Sequence, residues 1–293
     1  MLTIFSTPKP FRGHEAIIQR NAIKSWTLLH PNCEVILFGD DEGTAEVAKE
    51  FGICHKPKVL RNEYGTKLLN YIFEYAQEIA KHDLLCYVNC DIILMSDFIN
   101  AVKQVYSWRP LFLMAGRRWD VDITEPWDFD QLNWEQHLRS LVLQQGKQRP
   151  GSWIDYFVFP RNTYRNIPPF VVGRVCWDNW LIWKARSLRI PVVDASLTVM
   201  AVHQNHDYSY HPEGKKGVWQ GEEAQRNYML AGGWTHLYTL DDATHCLTPA
   251  GIKRNFSVAY FARRLEMMQR WLIDVTRPVR HKLGIRRLHS SQG

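Results

Sequence analysis

Through residues 1–94, short β-prone runs alternate with segments of helical apolar spacing, and this alternation limits the fold more than any other feature of the chain. Residues 3–6 form a β-prone run ending in Thr7-Pro8-Lys9-Pro10, and residues 14–29 follow with Ile17, Ala22, Trp26 and Leu29 at helical spacing. Val35-Ile36-Leu37-Phe38 reads as a second buried strand stopped by Gly39-Asp40-Asp41, with a helix over about residues 44–51. Val59-Leu60 reads as a third short strand, residues 68–81 as a helix, and residues 84–94 as one long apolar strand. Further on, residues 119–134 are rich in Asp, Trp and Pro and read as a loop or lid leading into a helix over 134–145. A strand over 154–159, a helix from Trp177, a strand at Val192-Val193 and a last strand over 198–203 complete the pattern. Such βαβα order predicts an α/β fold with a mainly parallel sheet flanked by helices, whose ligands gather at the carboxyl ends of the strands.

The strongest local signal is Tyr87-Val88-Asn89-Cys90-Asp91 at the end of the long apolar run. Strand periodicity puts Tyr87, Asn89 and Asp91 on one face. An ionised carboxylate leaving a buried strand is costly unless a cation or hydrogen-bond donors receive it. Magnesium or manganese suits that need, since these ions take carboxylate oxygen and share their remaining positions with water and phosphate. The structural alternative is a strand-end Asp closing a turn with Ser96. His203, in Met200-Ala201-Val202-His203-Gln204-Asn205-His206, follows another β-prone run, and its imidazole is either a manganese ligand or a loop hydrogen-bonder. Thr7 and Asp40 end the first two strands, and they lie side by side if those strands are neighbours. Glu63-Tyr64-Gly65-Thr66-Lys67 opens the next helix, so the Thr66 hydroxyl and the Lys67 charge can face a phosphate; for Asp41 and Glu63, turn or cap chemistry is the preferred reading. Asp155 faces either an acceptor or a metal by strand period, and Asp178 either works on a ligand or caps a helix whose Trp177, Trp180 and Leu181 are core. Arg174 binds phosphate or pairs with one of these carboxylates.

With the Phe38-Gly39-Asp40 turn and the late histidine, Asn89-Cys90-Asp91 resembles the Asp-x-Asp motif of the GT-A glycosyltransferases, in the nucleotide-diphospho-sugar transferase superfamily, over most of residues 1–210. The resemblance implies a GT-A type, Rossmann-like fold and a hexosyltransferase-like reaction from a nucleoside diphosphate sugar to a hydroxyl of a carbohydrate or lipid-linked acceptor. It implies Mn2+ or Mg2+ held by Asp91 and His203, with His203 matching better than His206. Asn89 departs from the pattern: it carries no charge and is read as hydrogen-bonding the ribose or a metal-bound water. Thr7 and Asp40 then face base and ribose, Thr66 and Lys67 the nucleotide, and Asp178 becomes the base that activates the acceptor, with Asp155 beside it and inversion as the outcome. Trp119, Trp127, Trp134 and Trp153 suit a carbohydrate platform, core packing being their other reading. Tyr208, Tyr210 and His211 suit a loop closing over the donor.

The 293 residues are 45% hydrophobic and 13% aromatic, enough to bury a sizeable core. No stretch approaches the roughly 20 apolar residues that span a bilayer, and Pro8 and Pro10 interrupt any signal-type segment, so the chain is expected to stay in the cytoplasm. Cys33, Cys54, Cys86, Cys90, Cys176 and Cys246 show no CxxC pair and are expected as reduced thiols. The net charge of +6 misplaces the basicity: residues 251–293 carry ten Lys or Arg against Glu266 and Asp274, a balance of +8, leaving −2 for residues 1–250. A catalytic domain over 1–250 and a basic amphipathic tail over 251–293 are therefore expected. Phe261, Leu265, Met268 and Leu272 stripe the helix predicted over 256–275, and Arg280, Lys282, Arg286 and Arg287 follow Pro278. Such a segment lies at an anionic membrane surface or packs on the domain. Two other functions compete: a sugar-phosphate nucleotidyltransferase, for which Thr7-Pro8-Lys9-Pro10-Phe11-Arg12-Gly13 is a weak phosphate loop, and nucleic-acid binding through the tail, for which the chain carries no recognised motif.

Overall fold

The computed structural model describes residues 1–207 and 213–282, with side-chain surroundings given through residue 272. Tyr208, Tyr210 and His211, and the basic residues beyond 282, lie outside the described residues. The chain divides into two compact units, residues 1–255 and the segment from Phe256 on.

The first unit begins β1 (Leu2–Ser6), α1 (Gly13–Leu28), β2 (Cys33–Phe38), α2 (Thr44–Glu50), β3 (Cys54–Lys56), α3 (Leu69–Ile79), β4 (Leu84–Val88) and β5 (Ile92–Ile93). It continues with α4 (Ser96–Trp108), β6 (Leu113–Val121), α5 (Trp134–Gln145), β7 (Lys147–Gln148), β8 (Ile154–Pro160) and α6 (Trp177–Ser187). After these come β9 (Val192–Asp194), β10 (Ala201–Gln204), α7 (Gly214–Gln220), α8 (Glu222–Ala231), β11 (His245–Thr248) and β12 (Gly251–Arg254). The main sheet runs β12-β11-β9-β6-β8-β4-β1-β2-β3. Its β3-β2-β1-β4 wing is parallel, and β8 is inserted antiparallel between β4 and β6. The α/β class expected from the alternation, with a sheet flanked by helices, is thus present.

Continuous apolar runs make this sheet because both of its faces are covered. Along β1, Phe5 enters the cluster with Phe73 and Phe159, while Ile4 enters the opposite one with Trp26 and Phe98. Phe73 stacks on Phe159 with centroids 5.6 Å apart and meets Phe5 edge-on at 5.1 Å. Each such ring buried contributes about 1.5–3 kcal/mol.

Three differences from the sequence reading bear on the site. The apolar run of residues 84–94 is not one strand: it stops at Val88, turns through Asn89–Asp91, with Ile92 N–H donating to Asn89 C=O at 3.2 Å, and resumes as β5. Burial cannot reveal that break, since Ile92 and Ile93 are as buried as Val88. The Trp26 indole of α1 donates to Ile92 C=O at 2.9 Å and holds β5 in its new direction. The third strand is Cys54–Lys56 rather than Val59-Leu60; Pro57, which has no N–H to donate, ends it. The late strand is Ala201–Gln204, residues 195–199 being a turn, and β11 and β12 follow it.

The most consequential strand, β6, belongs to two sheets. Its first half pairs with β8 and β9. After a register shift between Ala115 and Arg117 its second half pairs with β10 and β7, and β10 pairs in turn with β5. Gly116 stands at the shift because the Tyr156 hydroxyl leaves no room for a side chain: a Cβ there would lie 2.3 Å from it.

The second unit contains α9 (Val258–Lys282). Phe261, Leu265, Met268 and Leu272 are exposed on it, and Glu266 pairs with both Arg263 and Arg270. Among the described residues no helix is long and apolar enough to cross a membrane. None of the six cysteines is disulfide-bonded.

Candidate active site

The register of the small sheet builds the centre. In β10, His203 is the Cα partner of Ile92 on one side and of Asp120 on the other. The strand therefore delivers its imidazole between the Asn89–Asp91 turn and the end of β6. His203 Nε2 lies 3.9 Å from Asp91 Oδ2, and Nδ1 lies 3.2 Å from Asp120 Oδ1. His206, just beyond β10, comes closer to Asp91: its Nε2 is 3.3 Å from Oδ2, and its Nδ1 is 3.7 Å from Glu15 Oε1 on α1. Lys9 Nζ completes this edge, 3.1 Å from Glu15 Oε1 and 3.4 Å from His206 Nε2.

One potential ligand atom from each of Asp91, His203 and His206 falls within 4.8 Å of the others. Asp91 Oδ1 is buried without a hydrogen-bond partner, an arrangement that normally calls for an explanation. Burial opposes ionisation of Asp91, but His203 and His206 outweigh it and hold the carboxyl below its usual range. His206 shifts the other way: burial disfavours its charge, and the Asp91 hydrogen bond more than offsets this. An anionic oxygen with two imidazoles fits manganese, and Asp120 Oδ1 stands 3.2 Å behind His203 Nδ1, a separation at which a carboxylate can orient an imidazole, though Nδ1 makes no hydrogen bond among the described residues.

A buried guanidinium ties this centre to β8. Arg118 Nε donates to Asp120 Oδ1 at 2.8 Å and Nη1 to Asp155 Oδ2 at 3.0 Å. The other Asp155 oxygen accepts from Asn89 Nδ2 at 2.6 Å, and Asn89 N–H donates to Asp155 C=O at 2.9 Å. Arg149 Nε reaches Asp120 Oδ2 at 2.5 Å, and both guanidinium groups lie over the Trp153 ring, at 4.7 and 5.0 Å. Burial opposes the Arg118 charge, yet Asp155 and Asp120 raise its pKa further above the ordinary value. Burial likewise opposes ionisation of Asp120, which His203, Arg118 and Arg149 hold below the carboxylate range.

Asp178 differs from Asp155 in making no ion pair among the described residues, Arg118 acting on it only at a distance. It lies in the first turn of α6, behind Cys176, whose φ of +86° is a strained conformation for a non-glycine residue, costing about 1–3 kcal/mol. Its Oδ1 is buried without a hydrogen-bond partner, and no side chain caps the helix. Burial, with Asp155 adding, pushes the Asp178 carboxyl up from 3.8 to about 7. Beneath it Tyr87 meets Trp177 edge-on at 5.3 Å. Burial keeps the Tyr87 phenol protonated, and Asp91, Asp155 and Asp178 all act on it in the same direction.

The residues read as donor-binding gather at the other strand ends. β1 and β2 are parallel neighbours, so Thr7 and Asp40 do lie on adjacent strand ends. The Thr7 hydroxyl donates to Phe38 C=O at 2.8 Å, and Asp40 accepts from Arg61 Nη2 at 2.5 Å. Lys67 is buried and donates to Pro8 C=O at 2.6 Å and Asp41 Oδ2 at 2.5 Å. Thr66 and Lys67 precede rather than open the helix: Arg61 bridges to Lys67, Leu68 to Val171, and α3 starts at Leu69. Thr66 N–H is held by Asn62 Oδ1 at 2.8 Å. Arg174 pairs with Glu223 at 2.5 Å, and Glu63 with Arg226 at 2.6 Å.

Asp91, His203, Asn89 and Asp155 are thus brought together, with Asp178 within their field and Thr7, Asp40, Thr66 and Lys67 on the β1–β2 side. Sequence reasoning passed over Arg118 and Asp120, although Arg117-Arg118-Trp119-Asp120-Val121 sets charges at alternate positions of a β-prone run. No family model and no curated protein matches the chain. It is similar to the solved structure of glucosyl-3-phosphoglycerate synthase from Mycobacterium tuberculosis in complex with phosphoglyceric acid, with 13% identity and a TM-score of 0.48 over 80% of this chain and 81% of that one. Mannosyltransferase PcManGT from Pyrobaculum calidifontis, in complex with GDP-Man and Mn2+, matches at 12% identity and a TM-score of 0.42, over 69% of this chain and 56% of that one. S. aureus TarS 1-349 matches at 12% identity and a TM-score of 0.42, over 70% of this chain and 58% of that one. The chain therefore spans little more than half the length of the latter two.

Proposed function

We propose that the chain is a metal-dependent glycosyltransferase of the GT-A type, hexosyltransferase-like, moving a sugar from a nucleoside diphosphate sugar to an acceptor hydroxyl. The observation that carries this reading is the partnerless, ionised oxygen of Asp91, with two imidazoles converging on the same space at the carboxyl ends of the strands. Asp91, His203 and His206 would hold Mn2+ or Mg2+. When bound, the ion stabilises negative charge on the departing diphosphate.

The surrounding residues divide the remaining work. Asp155 has its oxygens occupied by Arg118 and Asn89, so it orders the site rather than taking protons. Asp178 has a free oxygen and a pKa of about 7, which suits a general base working near neutral pH. It removes the acceptor proton as the hydroxyl attacks the anomeric carbon, and one displacement inverts that carbon. Thr7, Asp40, Thr66, Lys67 and Asn89 make the donor side. Screening nucleoside diphosphates by thermal shift with and without Mn2+ tests the reading. One of them is expected to raise the melting temperature only with the metal, by an amount equivalent to about 2.7 kcal/mol at a hundredfold excess over Kd. Indifference to every nucleotide at millimolar concentration would refute it.

The exposed apolar residues of the basic helix α9 support a peripheral membrane position, from which a lipid-linked as well as a carbohydrate acceptor is reachable on the cytoplasmic face. The full chain is expected to co-sediment with phosphatidylserine vesicles and residues 1–255 are not. Equal sedimentation of the two removes the membrane part of the proposal.

A further inference from the structure

Directly beyond the end of β6 the chain lines a cleft of about 370 Å³, whose walls include Asp122, Glu125, Trp127, Asp128, Trp134 and His137. We propose that this cleft is the acceptor subsite and that it takes an uncharged or amino-bearing sugar ring, not a phosphorylated group. The assignment rests on the transferase reading and names the acceptor class for it.

Position comes first. Asp122 is two residues from Asp120, about 7 Å of extended chain. Its Oδ1 accepts from Asn205 Nδ2 at 2.7 Å, and Asn205 immediately precedes His206. The rim of the cleft is therefore tied by one hydrogen bond to the residue next to His206. Its wall is also pinned: Asn21 of α1 accepts from Trp127 N–H at 2.8 Å, donates to Glu125 C=O at 3.2 Å, and donates to Gln204 of β10 at 2.9 Å. The loop is thus fastened to the strand that carries His203.

Chemistry comes second. Trp127 and Trp134 are partly exposed and are backed by Ile123, Leu138 and Val142, and Phe129 meets Trp134 edge-on at 4.9 Å. Rigid indole faces of this kind receive the C–H side of a pyranose ring. The carboxylates of Asp122, Glu125 and Asp128 accept from hydroxyl or ammonium groups. Asp122 already receives Asn205, and Asp128 receives Gln131 on one oxygen and Asp130 N–H on the other, and each retains further lone pairs. No Lys or Arg lines the cleft, so a phosphate there meets three like charges and no permanent counter-charge, the His137 imidazole being the cleft's one basic side chain. The volume is at the small end of the range of about 300–1,000 Å³ for ligand pockets, room for one or two sugar rings.

Saturation-transfer NMR on the full chain, without nucleotide, tests this with methyl glucoside, methyl galactoside, methyl mannoside and methyl glucosaminide as probes and glucose 6-phosphate as the contrast. At least one glycoside is expected to show transfer to its ring protons, falling fivefold or more in Trp127→Ala, while glucose 6-phosphate shows none. Asp128→Lys, at an exposed position remote from the core, is expected to weaken the glycoside fivefold or more and to admit glucose 6-phosphate. Absence of glycoside binding, binding unchanged in both variants, or preference of the parent chain for glucose 6-phosphate overturns the proposal. If a nucleoside diphosphate with Mn2+ stabilises the chain and no glycoside binds, the subsite alone is wrong. If glycosides bind this cleft and no nucleotide binds, the sugar site stands and the transferase reading falls.

Discussion

Asp91→Ala is expected to abolish Mn2+-dependent stabilisation by a nucleoside diphosphate and to lower sugar transfer by about a thousandfold, equivalent to roughly 4 kcal/mol of lost transition-state stabilisation. Asp91 supplies the only anionic oxygen among the three candidate ligands, and the two imidazoles that remain offer no charge to a divalent ion. The same change should be visible without metal. A carboxylate held below its usual range adds stability above the unfolded-state pKa and loses it as the pH falls through the folded value. At neutral pH, Asp91→Ala removes that contribution, so the variant melts lower at pH 7; the carboxyl part of the difference shrinks only as the pH falls below the unfolded-state value, while the part due to His206, whose pKa Asp91 raises, is lost as the pH rises. Thermal melts across pH 3–8, with and without Mn2+ and nucleotide, measure both effects. An alanine variant that keeps full metal-dependent nucleotide binding removes Asp91 from the centre.

Asp178→Asn is expected to leave nucleotide binding intact and to reduce turnover by about 10²–10⁴-fold, the range for loss of a general base. Stability should move in the opposite direction. A carboxyl whose pKa rises from 3.8 to about 7 on folding holds its proton more tightly in the native state. Its favourable contribution is complete below the unfolded value and is lost as the pH rises through about 7. Asparagine cannot ionise, so the variant should melt higher than the parent by a margin that opens between pH 4 and 7 and then stays level. Turnover of the parent should climb through the same interval as the base loses its proton. Parent-like turnover in Asp178→Asn, or a flat rate from pH 6 to 8, would make the residue part of the helix and nothing more.

The parallel wing of the sheet was legible because each of its strands is a short buried run followed by a helix of ordinary spacing, as in Val35–Phe38 before Thr44. The turn at Asn89–Asp91 was not, because the residues on both sides of it are equally buried and a hydrophobic run carries no mark of a change of direction. Asp91 and His203 were identifiable by residue type and by their place after β-prone runs. That they meet depends on β10 pairing between β5 and β6, a long-range register that no local pattern encodes. His206 was set aside for standing farther along a polar loop, yet the chain brings it nearer to Asp91 than His203. Asp120 fell at the start of the 119–134 stretch read as a loop or lid, with Arg118 just before it, whereas β6 runs on to Val121; their roles emerge only from what they face.

Two of the places where the chain passes between the main sheet and the small one, the Asn89–Asp91 turn and the register shift at Gly116, flank the candidate site, with Arg118 reaching from the second to Asp155 on β8. The ligands would therefore occupy a seam between two slabs, and an occupant there sutures them together. Loaded molecules resist local opening more than empty ones by mass action. A protease acting on the population meets the unloaded molecules first, so under the proposed function a bound donor would lengthen the protein's survival.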